Sequence, residues 1–177
     1  AFFGDLHVHT SRSFDAATWG TRARPDDAYR FARGEPVGLY PYDAEGRPTR
    51  RARLTRPLDF AAVTDHAEFL GETDLCTTPG SAAYDTAHCR DQRTTDFVIA
   101  GEYARLLASR GSGRPSICRN APCAERLGAV WTEAQDAAER AYDRSEQCRF
   151  TSFVAYEWTG SPGGNNQHRN VIFRNRT

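Results

Sequence analysis

Lysine is absent from this chain, and all 23 basic residues are arginine. Methionine is absent too. The sequence therefore does not open at its own initiator, and Ala1 leads into a strand-like run with no signal-like segment, as expected where an N-terminal piece has been removed or left out. No apolar run approaches the roughly 20 residues a membrane helix requires, which excludes such a helix. Net charge is lacking as well. Basic and acidic residues number 23 each, which argues against a general nucleic-acid binder whose affinity rests on neutralising phosphates. Cysteine is sparse, and none of Cys76, Cys89, Cys118, Cys123 and Cys148 forms a Cys-x-x-Cys pair. A zinc site built on thiolates is thereby disfavoured. Disulfides across loops are expected instead, suiting a periplasmic or secreted protein better than a cytoplasmic one. The loop positions predict Cys76 bonded to Cys89, and Cys148 to Cys118 or Cys123.

What is present fits one domain. The 177 residues can bury a sizeable core, and 39% hydrophobic with 26% charged residues is ordinary for a globular chain. A strand is predicted over about Phe2 to Val8. A helix follows from Pro25 to Arg33, with proline at its first position and Asp26 and Asp27 in its first turn. "VGLYPYDAEGRPTRRARLTRP" reads as a polar hairpin around a Glu-Gly turn. "LDFAAVTDH" is a near-continuous apolar run, the pattern of a parallel strand buried on both faces. Leu70 to Arg90, rich in threonine, glycine, proline and cysteine, reads as a surface excursion. One helix is predicted over about Asp91 to Ser109. A second, over about Ala121 to Tyr142, carries Leu127, Val130, Trp131, Ala134, Ala138 and Ala141 at helical spacing, with Trp131 in the core. "FTSFVAYEWTG" forms a third strand ending at Glu157, "SPGGNNQH" a loop, and "NVIFRN" begins a fourth strand. Strands alternating with helices or long crossovers imply an α/β fold with parallel strands.

In such folds ligands gather at the carboxyl ends of the strands. The first strand ends in "HVH", and side chains alternate along a strand, so Asp5, His7 and His9 share one face while Leu6 and Val8 take the other. Two imidazoles on one face can close on one metal ion, whose ligand atoms must converge at about 2.0 to 2.2 Å. His66 and Glu157 end the next two strands, and His168 precedes the fourth. These residues are expected to converge on one metal-binding pocket. His88, between Ala87 and Cys89, reads as an exposed loop histidine outside it.

Taken in order, "FFGDLHVHTSRSFDA", "LDFAAVTDHAEFLG" and "FVAYEWTGSPGGNNQHRNVIFRN" resemble the PHP (polymerase and histidinol phosphatase) superfamily. Within it they are most similar to a mostly bacterial PHP-like family labelled domain of unknown function 3604. The resemblance implies a distorted (β/α)7 barrel holding two or three divalent metals, zinc, manganese or iron, and hydrolysing a small-molecule phosphate ester. His7 and His9 then match the first metal motif, Asp15 its third ligand, His66 the second motif, Glu157 the bridging carboxylate and His168 the histidine after it. Glu157, His66 and Arg169 become the candidates for catalysis. Asp5 and Asp65 are candidates to accept an imidazole N–H, with helix capping an alternative for Asp65. Arg169, Asn170 and Arg12 are candidates to bind the substrate phosphate. A complete barrel takes about 250 residues, and the pattern expects a further histidine and a late Asp-x-His. Residues 1–177 are therefore expected to be the N-terminal part of a single PHP-like metallohydrolase domain. The enzymatic rival is an amidohydrolase cleaving carbon-centred bonds, many of which bridge two metals with a carboxylated lysine. The absence of lysine counts against that version. The non-enzymatic rival is a metal-binding scaffold, which ligand loss would mark.

Overall fold

Strand β1 (Gly4–Val8) is followed by a short helix α1 (Phe14–Thr18) and by α2 (Pro25–Ala32). Pro25 begins α2, and the Asp27 carboxylate accepts the Arg24 main-chain N–H at 3.0 Å. The chain then forms an antiparallel hairpin of β2 (Val37–Tyr42) and β3 (Pro48–Ala52). Its turn is closed by Asp43, whose carboxylate accepts the main-chain N–H groups of Glu45 and Arg47, with Gly46 at φ +78°. Strand β4 (Phe60–Val63) lies parallel to β1, and β5 (Thr151–Phe153) parallel to β4, giving a three-stranded sheet in the order β1-β4-β5. The computed structural model describes residues 1–94, 97–108 and 113–176. Within them the architecture is mixed α/β with no closed barrel.

Between β4 and β5 come α3 (Leu70–Thr77), α4 (Ala87–Arg93), α5 (Phe97–Ala108) and α6 (Cys123–Ala141). The predicted surface excursion is thus corrected. Leu70 to Cys76 of α3 are buried, and α4 begins within the same stretch. A helix buried all round shows no amphipathic period, so the pattern that marks surface helices is missing from "LGETDLCT". Gly71 permits the burial: a Cβ there would overlap the Cys123 carbonyl oxygen and lie 2.8 Å from the Leu127 nitrogen, both on α6. The single helix predicted from Asp91 onward is two, α4 ending at Arg93 and α5 beginning at Phe97, and residues 95, 96 and 109 lie outside the described residues. His88 sits on α4 half-buried, not in an exposed loop, with Nδ1 3.4 Å from Glu102.

The third predicted strand breaks at Val154 into β5 and β6 (Ala155–Gly160). β6 pairs with β7 (Gln167–Ile172), and the pairing is antiparallel, correcting the expected parallel fourth strand. Residues 161–166 cannot provide the dozen or more residues a parallel crossover needs. They form a hairpin turn instead, with Gly163 and Gly164 at positive φ.

The main core lies where α2 and α6 pack on the parallel sheet, around Tyr29, Ala61, Val63, Ala138 and Phe150. Trp131 packs against it partly buried, edge-on to Tyr156 and tilted against Phe173. The Tyr29 hydroxyl donates to the Phe153 carbonyl at 2.9 Å and accepts the Val63 N–H at 3.2 Å, joining α2 to β4 and β5. Burial pushes its phenol up to about 12. A second cluster around Leu75, Ala83 and Ile117 contains the disulfides Cys76–Cys89 and Cys118–Cys123. The first is the predicted pair. The second corrects the other: Cys148 is free and exposed beyond α6, whereas Cys118 and Cys123 lie five residues apart at the helix entrance.

Candidate metal centre

Glu157 holds the centre of the site. The main chain brings it there: its N–H donates to the Asp65 carbonyl at 3.0 Å, and His66 and Glu157 form a parallel bridge that extends the sheet past β4. Its side chain is 1% exposed. Oε2 lies 2.7 Å from His9 Nε2, 3.1 Å from His7 Nε2 and 3.6 Å from His66 Nδ1, while His168 Nδ1 rests against Oε1. The rings of His9 and His66 are 4.8 Å apart, and those of His66 and His168 5.6 Å. Asp15, on α1, accepts from His9 Nδ1 at 3.0 Å and faces His66 Nε2 at 3.6 Å. All six residues matched to the metal motifs are therefore together.

Electrostatics couple them. Burial alone would raise the Glu157 carboxyl, but the surrounding imidazoles of His66, His7, His9 and His168 outweigh it and hold it below its ordinary range. Burial would likewise lower His9, yet Asp15, Glu157 and Asp65 keep its imidazole raised. Asp15 is held far below the usual carboxylate range, because hydrogen bonds from His66, His9 and Ser13 overcome its desolvation.

Several positioning residues escaped the sequence reading. The Thr159 hydroxyl lies 2.8 Å from His66 Nδ1 and 3.1 Å from His168 Nδ1, tying β6 to both rings. Ser13 donates to Asp15 at 2.6 Å and accepts the His66 N–H at 3.2 Å. Glu68 accepts the Thr159 N–H at 2.7 Å, and the Phe14 ring lies 4.8 Å from that of His66. A threonine two residues beyond Glu157 shares its face on a strand, the one signal that could have found Thr159.

Four other candidates are placed differently from the expectation. Asp5 accepts the His7 main-chain N–H at 2.9 Å. Asp65, buried and pushed up to about 6 by desolvation, accepts from the Thr10 N–H and hydroxyl. Both carboxylates thus hold main chain near the site. Arg12 is 3% exposed, with its guanidinium paired to Asp74 and Glu133, so its donors are committed within the fold. Arg169 pairs with Trp158 across β6 and β7, on the hairpin face opposite to Glu157 and His168, and its Nη1 donates to the His168 carbonyl. Asn170, opposite Glu157, is on the site's own face and donates to the Leu6 carbonyl at 2.8 Å.

Three overlapping groups could each hold a metal ion: His7, His9 and Glu157; His9, Asp15 and His66; and His66, Glu157 and His168. A neutral imidazole has one lone pair. His9 can therefore serve only one of the first two groups, and His66 only one of the last two. Among the described residues the one compatible pair is the first and third, which share Glu157. Glu157 Oε1 is buried and makes no hydrogen bond, although His168 Nδ1 lies against it, as suits an oxygen that would face a cation. The fourth such grouping, Glu72 with Cys118 and Cys123, is closed to metals by the disulfide.

The chain belongs to the DUF3604 family. That family model, described as Protein of unknown function (DUF3604), matches residues 1–177. Among curated proteins and solved structures the chain has no match. In this DUF3604 chain the match covers every segment that builds the site, from β1 to β7.

Proposed function

We propose that this DUF3604 protein is a metal-dependent hydrolase, and within that class a phosphoesterase of PHP type acting on a small phosphate ester. The observation that carries the reading is the buried Glu157 carboxylate facing four imidazoles. His7, His9 and Glu157 would hold one divalent cation, and His66, His168 and Glu157 a second. Zinc, manganese and iron all suit imidazole and carboxylate donors. Bound there, such cations acidify a water and stabilise charge developing on phosphoryl oxygens.

The chain's own residues set the donors. Asp15 accepts the His9 Nδ1–H and faces His66 Nε2, which turns His9 Nε2 and His66 Nδ1 towards Glu157. In this arrangement Asp15 orients ligands from the far side of both rings. Asn170 is better placed than Arg169 or Arg12 to meet a substrate, because it alone of the three lies on the face of Glu157. The two disulfides support a periplasmic or secreted location, and no described helix is long and apolar enough to cross a membrane.

Elemental analysis with a panel of phosphate esters tests the reading. The expected result is two metals per chain and hydrolysis of at least one ester. Glu157→Gln should keep the fold but lose most of the metal and, with it, at least about a hundredfold in rate. Metal-replete protein inert towards every phosphate ester would favour amidohydrolase or scaffold readings.

A further inference from the structure

A cavity of about 770 Å³ opens beside the proposed metal centre, with His7 and His9 in its wall. Strands β1 and β4 form its floor, Asp5 included, and the rest of the wall comes mainly from α2, from the β2–β3 hairpin and from Trp19, the residue that ends α1. Its character is apolar and aromatic: Trp19, Phe31, Leu39, Tyr40 and Tyr42 line it, and Arg50 is the one guanidinium among the described lining residues. One of its nitrogens, Nη2, donates to the Tyr40 carbonyl. Trp19 is 68% exposed, Tyr40 56% and Leu39 39%. Large apolar side chains left in water around a concavity mark a binding surface more often than a packing accident.

The cavity is joined to the centre through the chain itself. The Trp19 N–H donates to the Asp15 carbonyl at 3.1 Å, so one helical turn carries a site carboxylate at one end and a cavity wall at the other. Strand β1 does the same, with His7 and His9 in both. A molecule reacting at Glu157 therefore has its remaining part beside this wall. The volume is in the range that encloses a small organic molecule. Sugars and nucleobases need several buried hydrogen-bonding partners, whereas the polar side chains of this lining outside the centre, Asp5, Thr21, Arg50 and three tyrosine hydroxyls, are a minority among apolar ones.

We infer that the cavity receives the organic group of the substrate, and that this group is aromatic or similarly flat and apolar. The inference rests on the phosphoesterase reading for the reacting group, but the cavity's preference can be measured without turnover. The test uses the protein with manganese or zinc. Binding of 2-naphthol, which has no bond to hydrolyse, is followed by tryptophan fluorescence and by equilibrium dialysis. Hydrolysis of 2-naphthyl phosphate is compared with that of methyl phosphate.

Naphthol should bind and perturb the emission, and Trp19→Phe should remove the fluorescence response while dialysis still detects binding. Tyr40→Ala and Leu39→Asp, both at exposed hairpin positions, should weaken naphthol binding about tenfold, in keeping with loss of one aromatic or apolar contact. The same variants should raise KM for naphthyl phosphate and narrow its advantage in kcat/KM over methyl phosphate. If no phosphate ester is hydrolysed but naphthol binds in a Tyr40-dependent way, the phosphoesterase reading falls and the cavity assignment stands. Absence of naphthol binding, binding indifferent to Tyr40 and Leu39, or equal kcat/KM for the two esters would overturn the assignment. A cavity filled by a second copy or by another segment of chain would give the first of these results.

Discussion

Arg12 shows how one residue's chemistry is decided by its surroundings. It lies between His9 and Asp15 in sequence and could have served a phosphate, but Asp74, itself fully buried, needs it. Arg126 also reaches Asp74, while Arg12 and Arg24 share Glu133, so α3 and α6 are clamped to the loop that leads into α1 and Asp15. Breaking such a buried pair leaves an uncompensated charge, which is far costlier than losing a surface pair. Asp143 makes the opposite case at the surface. Its carboxylate is stabilised by Ser145 and by the Arg149 and Ser145 N–H groups, which hold it at about 2. Its unfolded value is about 3.9. Because the folded value is depressed, its contribution to stability is present above about pH 4 and is lost as pH falls through about 2. A carboxyl NMR titration should give a midpoint near 2, and Asp143→Asn should flatten the pH dependence of unfolding in that window. A midpoint near 4 would mean that these hydrogen bonds do not form in solution.

Among the elements, α3 determines more than its length suggests. It follows His66 after a single 3-10 turn, is buried from Leu70 to Cys76, and is locked to α4 by Cys76–Cys89. Its close approach to α6 depends on Gly71 having no side chain. Gly71→Val would force the two backbones apart. Overpacking of this kind costs roughly 1 to 3 kcal/mol or more, and urea unfolding should show at least that loss. Gly128, where a Cβ would meet nothing within 4 Å, supplies the control. Gly128→Ala on the same α6 should be neutral or stabilising, since alanine is the better helix former by up to about 1 kcal/mol. Equal effects at both positions would contradict the packing described. The β6–β7 hairpin is the other decisive element, because antiparallel pairing sets Thr159 opposite His168 and Glu157 opposite Asn170.

Over the whole molecule, the centre joins β1, α1, the end of β4, β6 and β7, segments separated by up to about 160 residues of chain. A ligand that binds such a centre stabilises the fold by mass action. At a free metal concentration about one hundred times Kd, zinc or manganese should add about 2.7 kcal/mol. For a chain of this size that is a rise in Tm of roughly 5 to 10 °C. EDTA should reverse the shift, and Glu157→Gln should abolish most of it. The gain should shrink at acid pH, where protons compete for the imidazoles. A Tm indifferent to metal would count against a shared centre.

The sequence alone determined the local elements that carry their own signals. These are Pro25 with Asp26 and Asp27 at a helix start, the Glu-Gly hairpin, the apolar run before His66, and the helical spacing through Val130 and Ala138. It also singled out the donors His7, His9, Asp15, His66, Glu157 and His168, because imidazoles and carboxylates at strand ends are a chemical pattern independent of packing. It specified membership in the DUF3604 family over the full 177 residues. Only the tertiary structure decided what those donors meet. Whether Arg12 is free depends on Asp74, sixty-two residues away. Which face Arg169 takes depends on the register of β7, and α3 is a helix because its neighbours bury it on every side. Local periodicity reports one solvent-facing surface, so it is silent where an element has none. Cys148 was paired in the sequence reading and is free in the fold for the same reason: loop position says that a thiol is reachable, and only the path of the chain says by which partner.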